Sequence, residues 1–290
     1  MSAFVSVIIP LYNGERVIGD CLDSVLRSSY QNFEIVIVDD ASTDSSVVRI
    51  APYLSSVVRV LQNRKNIGFG KSINIGLKKA RGDIVVLLNM DTVVDDKWLC
   101  ELVDTMISGN EIGVAGSKIF YMDGKTIQHA GGIIDGIGRS YHVGRGELDR
   151  GQYDSLKEVE YVCGAAIGIK KEVLEKIGCL DEGFTPLYYE EIDFMMRAKK
   201  AGYKVVYVPK AMLRHYERYS IGESQKAFYD ISKNRIRFVY KHFTFGKIFK
   251  EFLFNECRFF LTLTRYKQAQ LFSAHIYNML RLPVIALSRI

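Results

Sequence analysis

Residues 84–91 read Ile84-Val85-Val86-Leu87-Leu88-Asn89-Met90-Asp91: five apolar residues that stop on an amide and a carboxylate two positions apart. A short, continuous apolar run predicts a strand buried on both faces. A buried strand that ends in an acid sets that acid at a sheet edge, where oxygen ligands hold hard cations. An earlier run, Ile35-Val36-Ile37-Val38, also ends on acids, Asp39 and Asp40. Two neighbouring strands of this kind predict a pocket for a metal-bound nucleotide.

Strand and helix patterns alternate around this pair. Residues 5–9 are apolar and closed by Pro10. Residues 15–27 carry helical spacing at Val17, Ile18, Cys21, Leu22, Val25 and Leu26. Strand 33–38 follows, then a turn at 42–44 in which Asp44 is suited to cap a helix over 45–53. Strand 57–61, helix 70–80, strand 84–88 and helix 95–107 complete the first half. This alternation predicts an α/β fold, a mainly parallel sheet with helices on both faces. Ligands of such sheets bind beyond the carboxyl ends of the strands, where Asp39, Asp40 and Asp91 fall. From 113 to 151 glycines crowd the chain, and we expect β-hairpins and mobile loops over the active face. A strand over 159–169, a helix over 171–177, a helix over 190–201 stopped by Gly202 and a strand over 204–208 ended by Pro209 follow. After about residue 222 the pattern is helical.

The 290 residues suffice for one large domain or a domain with an appendage. Such a length buries roughly 75% of the unfolded surface, so no disulfide staples are needed. Cys21, Cys100, Cys163, Cys179 and Cys257 are odd in number and form no CxxC pair, which fits reduced thiols in a cytosolic protein. The first residues show no secretory leader pattern, and no charge-free run approaches the ~20 residues of a membrane span. The net charge is +6, but residues 226–290 hold 12 Lys and Arg against 3 Asp and Glu, and the rest 27 against 30. The basic, aromatic tail reads either as solvated helix faces or as a surface attracted to anionic lipid or a polyanionic substrate. No nucleic-acid partner is expected.

Several residues are candidates for chemistry, each with a plainer reading beside it. Asp39 and Asp40 either end a strand in an Asx turn or hydrogen-bond a base or ribose. Asp91 suits Mg²⁺ or Mn²⁺, which take one or two carboxylates plus phosphate oxygens; Asn89 offers only a neutral carbonyl. Glu190-Glu191-Ile192-Asp193 opens a helix whose dipole stabilises acids, and Asp193 with Arg197 is spaced for an i,i+4 pair. Their crowding also raises carboxyl pKa values, as a general base requires. His215 sits just past a strand end, among the acids of the other strands. His129, His142, His242 and His275 read as structural. Gly68-Phe69-Gly70-Lys71-Ser72 imitates a P-loop, but the required first glycine position is Lys65. No dinucleotide fingerprint, hydrolase triad order or cysteine nucleophile setting is present.

In this order the motifs resemble family 2 glycosyltransferases of the GT-A fold. Residues 5–14 resemble the family's first strand and loop, with Pro10, Tyr12 and Asn13. Residues 34–44 match its second strand and nucleotide-binding acids. Asn66-Ile67-Gly68, then Asn74 and Gly76, is similar to the segment before the metal motif, and Leu87-Leu88-Asn89-Met90-Asp91 resembles its DxD motif. Cys163-Gly164-Ala165-Ala166, Leu180-Asp181-Glu182-Gly183-Phe184 and Glu190-Glu191-Ile192-Asp193 resemble its acceptor-side loop and catalytic acids. The resemblance covers residues 4 to about 240.

It implies inverting transfer of a sugar from a nucleoside diphosphate to a hydroxyl of a glycan or lipid-linked acceptor. Glu191 would be the general base, with Glu190 in reserve and Asp193 beside it. Asp91, Asn89 and His215 would hold a divalent cation, Mg²⁺ or Mn²⁺, on the diphosphate. Pro10, Tyr12, Asn13, Asp39, Asp40, Asn66 and Gly68 would line the nucleotide, and Gly164, Ala165 and Asp181 the acceptor side. Asn89 in place of an acid, and the glycine-rich segment through Gly144-Arg145-Gly146, resemble a rhamnosyltransferase-like subgroup, implying a dTDP- or UDP-linked donor. We expect a catalytic domain over 1–222 and a helical region over 223–290, suited to an anionic membrane surface at the inner face of the cell membrane or to a homodimer contact. Two rival readings are a sugar-1-phosphate nucleotidyltransferase, disfavoured by the acidic, glycine-poor loop 11–15, and a non-catalytic membrane-surface protein, disfavoured by the retained acids.

Overall fold

The apolar run 84–88 is a strand at the centre of the sheet. The computed structural model describes residues 2–216 and 225–288. Among them the strands are β1 (Val5–Leu11), β2 (Phe33–Asp39), β3 (Val58–Gln62), β4 (Ile84–Leu88), β5 (Thr92–Val94), β6 (Ile112–Phe120), β7 (Ile127–His129), β8 (Gly132–Ile134), β9 (Ser140–His142), β10 (Lys157–Glu158), β11 (Ala166–Lys170) and β12 (Lys204–His215). The helices are α1 (Ile18–Leu26), α2 (Ser46–Ile50), α3 (Phe69–Lys79), α4 (Trp98–Ser108), α5 (Lys171–Ile177), α6 (Glu190–Lys200), α7 (Gln225–His242), α8 (Phe245–Lys247), α9 (Leu253–Leu261), α10 (Arg265–Met279) and α11 (Leu282–Leu287), with a π-helical turn at Ile248–Phe252.

The main sheet runs β10-β12-β6-β11-β4-β1-β2-β3, with β5 on β12 and β7 on β6. Strands β3, β2, β1 and β4 are parallel. Strand β11 is antiparallel to both β4 and β6, and β6 with β12 is parallel again. This is the GT-A architecture: a mixed, mostly parallel sheet flanked by helices, with further helices at the carboxyl end.

Period-2 alternation splits the buried strands between two cores. Val7, Ile9, Ile35, Ile37, Val86 and Leu88 meet α1 and α4 through Ile18, Leu22, Trp98 and Leu102. Ile8, Val36, Val38, Val85 and Leu87 meet Ile73 and Leu77 of α3. Each such side chain contributes roughly 1.5–3 kcal/mol of burial. At the amino end of β2 the buried Glu34 accepts from Ser6 Oγ, Arg59 Nε and Arg81 Nη2 at 2.7, 3.0 and 2.6 Å. Burial pushes its carboxyl up, but the bonds from Arg81, Arg59 and Ser6 outweigh this and hold it at about 2.

Three expectations are corrected. The glycine-crowded stretch does form the expected hairpins, β6 with β7 and β8 with β9, but β6 is a nine-residue strand buried throughout and not a loop. Gly116 is there because a Cβ would lie 2.2 Å from Val162, and Gly113 because one would strike Tyr203 and Val173; close packing, not turning, selects glycine. Strand β12 passes through Pro209 by a register shift between Val208 and Met212 and reaches His215 itself. The strand expected over 159–169 is confined to Ala166–Lys170; the preceding residues form a loop, which proves central to the site.

The expected boundary at 222 lies outside the described residues, but α7 beyond it is no appendage. Ile236, Phe238, Val239 and Phe243 share a core with Tyr189, Ile192 and Phe194 of the acidic motif. Four of the tail's cations are buried in ion pairs. Arg235 meets Glu256 at 2.6 Å, Arg237 and Lys241 meet Asp181 at 3.0 and 2.7 Å, Lys241 also meets Asp193 at 2.8 Å, and Lys233 meets Asp230 at 3.4 Å. The reading of the whole tail as solvated faces therefore fails for α7.

Candidate functional site

Asp39 ends β2, and Asn13, Asp40, Asn89 and Asp91 follow the carboxyl ends of the parallel strands β1, β2 and β4, as the pattern predicts. Met90, between Asn89 and Asp91, packs inward against Gly14, where a Cβ would lie 2.5 Å from its sulfur. That contact locks the turn after β4 to the loop after β1. Asn13 takes a left-handed conformation, φ 51°, which asparagine tolerates; its Oδ1 accepts from Thr43 N–H at 2.8 Å.

Asp39 and Asp40 are buried and engaged in the loops. Asp39 accepts from Ser42 N–H and Gln62 Nε2, at 3.1 and 3.2 Å. Asp40 accepts from Asn63 Nδ2, Ile67 N–H and Gly68 N–H, each at 2.9 Å. These bonds fix the segment 63–68 over the sheet edge. Gly68 is glycine because its φ is 92° at the start of α3. Tyr12 and Asn66 are exposed beside this segment, and Pro10 is buried within β1.

Asp91 and His215 come together because β5 pairs antiparallel with the end of β12, setting His215 opposite Thr92. His215 Nε2 lies 3.2 Å from Asp91 Oδ1, and Tyr216 N–H donates to Asp91 O. On its other side His215 Nδ1 is 2.8 Å from Gln128 Oε1. An Nδ1–H donated to Gln128 would leave Nε2 to act beside the Asp91 oxygen, the nitrogen–oxygen pair that a divalent cation takes. Adjacent ligands of an octahedral ion at about 2.1 Å lie about 3 Å apart, which this pair matches. Asn89 is half-buried with its side chain unengaged by the described residues, so it is a third oxygen at the same turn. No cluster of three or more His, Cys, Asp or Glu suited to a metal occurs among the described residues; phosphate and water oxygens would complete the shell, as is usual for Mg²⁺.

The acidic motif separates into two working parts. Tyr188 and Tyr189 both have positive φ, 77° and 73°, a strained entry to α6. Asn234 of α7 holds it, donating to Leu187 O and Tyr188 O at 2.8 and 3.0 Å. Glu190 is buried with Oε2 unbonded. Burial, and then the neighbouring Glu191, push its carboxyl well above the usual range. Glu191 is half-buried against Gly164, where an added Cβ would sit 3.4 Å from its carboxylate carbon; burial raises its carboxyl too.

Asp193 is different, and its expected place beside the base is corrected. It is fully buried and accepts from Arg197 Nε at 2.9 Å and His242 Nε2 at 2.7 Å, with Lys241 also at 2.8 Å. Burial opposes ionisation, but His242, Lys241 and Arg197 hold the carboxyl well below the ordinary range. It is a structural anchor for α7. Asp181 is corrected likewise: instead of facing an acceptor it accepts from Arg237 and Lys241.

The loop Cys163-Gly164-Ala165 joins the two halves. Ala165 O accepts from Asn89 N–H at 2.9 Å, Gly164 faces Glu191, and Cys163 N–H donates to His129 Nε2 at 3.1 Å. Sequence reasoning missed Gln128, Asn63 and Asn234, since no residue-type pattern marks an amide that supports another group.

The family model of Glycosyl transferase family 2 matches residues 6–178. The chain belongs to Glycosyl transferase family 2. It is 32% identical over 247 residues to an uncharacterized protein, y4gI, of Sinorhizobium fredii, a match covering 81% of this chain and 26% of the relative. It is also 32% identical over 104 residues to the Escherichia coli UDP-Glc:alpha-D-GlcNAc-diphosphoundecaprenol beta-1,3-glucosyltransferase WfgD, covering 36% of this chain and 40% of that one. The chain thus spans well under half the length of these relatives. Among solved structures, TarS of S. aureus with UDP-GlcNAc shares the fold at TM-score 0.66 and 22% identity, covering 93% of this chain and 79% of that one. A mannosyltransferase of Pyrobaculum calidifontis, solved with GDP-Man and Mn²⁺, does so at TM-score 0.57 and 18% identity, covering 99% and 79%.

Proposed function

We propose that this chain transfers a sugar, with inversion, from a nucleoside diphosphate to a hydroxyl of a glycan or lipid-linked acceptor. The observation that carries the reading is the half-buried Glu191 carboxylate facing Gly164, tied through the loop 163–165 to the turn that holds Asp91. Glu191 takes the proton as the acceptor oxygen bonds to the anomeric carbon, and the bond from that carbon to the diphosphate breaks with its electrons on the diphosphate. Asp91 and His215, with Asn89 beside them, would hold Mg²⁺ or Mn²⁺, which neutralises the departing diphosphate. Glu190, buried next to Glu191 at the head of α6, stands in reserve as the base. Tyr12, Asn13 and Asn66 flank the nucleotide on loops shaped by Asp39, Asp40 and Gly68. The glucosyltransferase relative is named for a diphosphoundecaprenol acceptor, which supports a lipid-linked acceptor here. Asn89 favours a dTDP- or UDP-linked, rhamnose-like donor. Incubation with UDP-, GDP- and dTDP-sugars and Mn²⁺ should release nucleoside diphosphate from one class; no release from any would sink the reading.

The same reading brings the chain to an anionic bilayer through its last helices. Phe245, Phe249, Phe254, Phe272, Ile276 and Leu280 are exposed, interleaved with exposed Lys250, Arg258, Arg265, Lys267 and Arg281 and with Glu251 as the one exposed acid among the described residues 244–288. Apolar groups among cations suit lipid headgroups. No described helix is long and apolar enough to cross a membrane. Flotation with phosphatidylglycerol vesicles should capture the protein and lose it at high salt. Salt-insensitive dimerisation on sizing columns, without flotation, would assign the surface to a second copy instead.

A further inference from the structure

Gln128 and His129 are neighbours on β7, and alternation along the strand sends them to different partners. Gln128, 3% exposed, meets His215 Nδ1 at 2.8 Å, and its own Nε2 is buried without a partner. Its amide is thus committed to that one ring. His129, fully buried, accepts from Cys163 N–H through Nε2. That bond leaves the proton of the neutral ring on Nδ1, which lies 2.9 Å from Nδ1 of His142. Only one of those two nitrogens can carry a proton, so the pair fits neutral rings of opposite tautomers. Burial, then the facing His142, keep His129 uncharged. Tyr161 packs on both rings, at 5.9 and 6.0 Å between centroids.

We infer that β7 is a strut carrying two positioning residues for the transfer reaction: Gln128 fixes the tautomer and aim of His215 toward Asp91, and His129, braced by His142, fixes the Cys163-Gly164 loop against Glu191. One strand thereby sets the leaving-group side and the base side of the site in register. The inference rests on the glycosyltransferase reading for its second half, while its first half concerns cation affinity alone.

The test is Mn²⁺ titration by calorimetry, without nucleotide and with UDP, joined to turnover of the donor class that the wild type consumes. Gln128→Met should weaken Mn²⁺ binding about 10–100-fold, the usual effect of losing the partner of a metal-binding histidine. Gln128→Glu, which can only accept, should restore it. His129→Leu should leave Mn²⁺ affinity intact and lower kcat at unchanged donor KM. His129→Gln, which keeps an acceptor near the Nε2 position, should recover most of kcat and remains the deciding variant if His129→Leu does not fold. Equal Mn²⁺ affinity in wild type and Gln128→Met, or Gln128→Glu no better than Gln128→Met, overturns the role of Gln128. A parallel loss of Mn²⁺ affinity in His129→Leu overturns the division of labour. Wild type that binds Mn²⁺ but consumes no nucleotide sugar defeats the glycosyltransferase reading and leaves the Gln128 comparison decisive. Wild type that binds neither defeats both.

Discussion

Adjacent carboxylates at the head of α6 do different work, and burial decides which. Glu191 has access to the space beside Gly164, so Glu191→Gln should cut transfer about 10²–10⁴-fold, the usual worth of a general base, with donor affinity nearly unchanged by calorimetry. Because its carboxyl is raised by burial, the acid limb of kcat/KM should fall at a pH above the ordinary glutamate value of about 4.3. Glu190, more deeply buried, bears on stability. An acid whose folded pKa is raised leaves stability intact below its unfolded pKa and loses it as pH rises toward the folded one. Glu190→Gln should therefore melt higher than wild type near about pH 8 and alike near about pH 4, as scanning calorimetry would show. The positions of Asp91 and Glu191 were legible in the sequence because each sits at the end of a readable element, whereas the strand that carries His215 runs on through Pro209, where the sequence suggests a stop. The pair of Asp193 with Arg197 was legible from its i,i+4 spacing, but the bonds of Asp193 and Asp181 to cations more than forty residues away were not, since a carboxylate so consumed is spelled the same as a free one.

At the scale of elements, β4, β1 and β2 were readable as uninterrupted apolar runs, whereas β6 was hidden by its glycines. A glycine that turns the chain, such as Gly131 at φ 98°, and one that admits a neighbour, such as Gly116, are the same letter. Gly116→Ala should cost about 1–3 kcal/mol by overpacking against Val162, visible in urea unfolding. Helix α7 was read as a helix, but its office was not. Asn234 holds the strained turn before α6, and Lys241 and His242 hold Asp193 inside it. Asp193→Asn breaks a buried charge cluster and should cost about 3–5 kcal/mol. Since that carboxyl is depressed in the fold, its contribution is present above the unfolded value of about 3.9 and disappears as pH falls through the folded one.

Across the whole molecule, one sheet separates two kinds of charge. Its amino edge is clamped by Glu34 with Arg59 and Arg81, and its carboxyl edge gathers Asp91, His215 and, through the loop 163–165, Glu191. The tail divides likewise: its buried cations lock α7 to Asp181 and Asp193, while its outer cations and aromatics face solvent. The central claim is that the carboxyl edge binds a nucleoside-diphosphate sugar through Asp91 and His215. Titration calorimetry of the wild-type chain and Asp91→Ala with UDP-, GDP- and dTDP-sugars in Mn²⁺ tests it most directly. Saturable, Mn²⁺-dependent binding of one nucleotide class is expected, weakened at least about tenfold in Asp91→Ala. Binding of none of them by a folded wild type, or equal binding by Asp91→Ala, would contradict it.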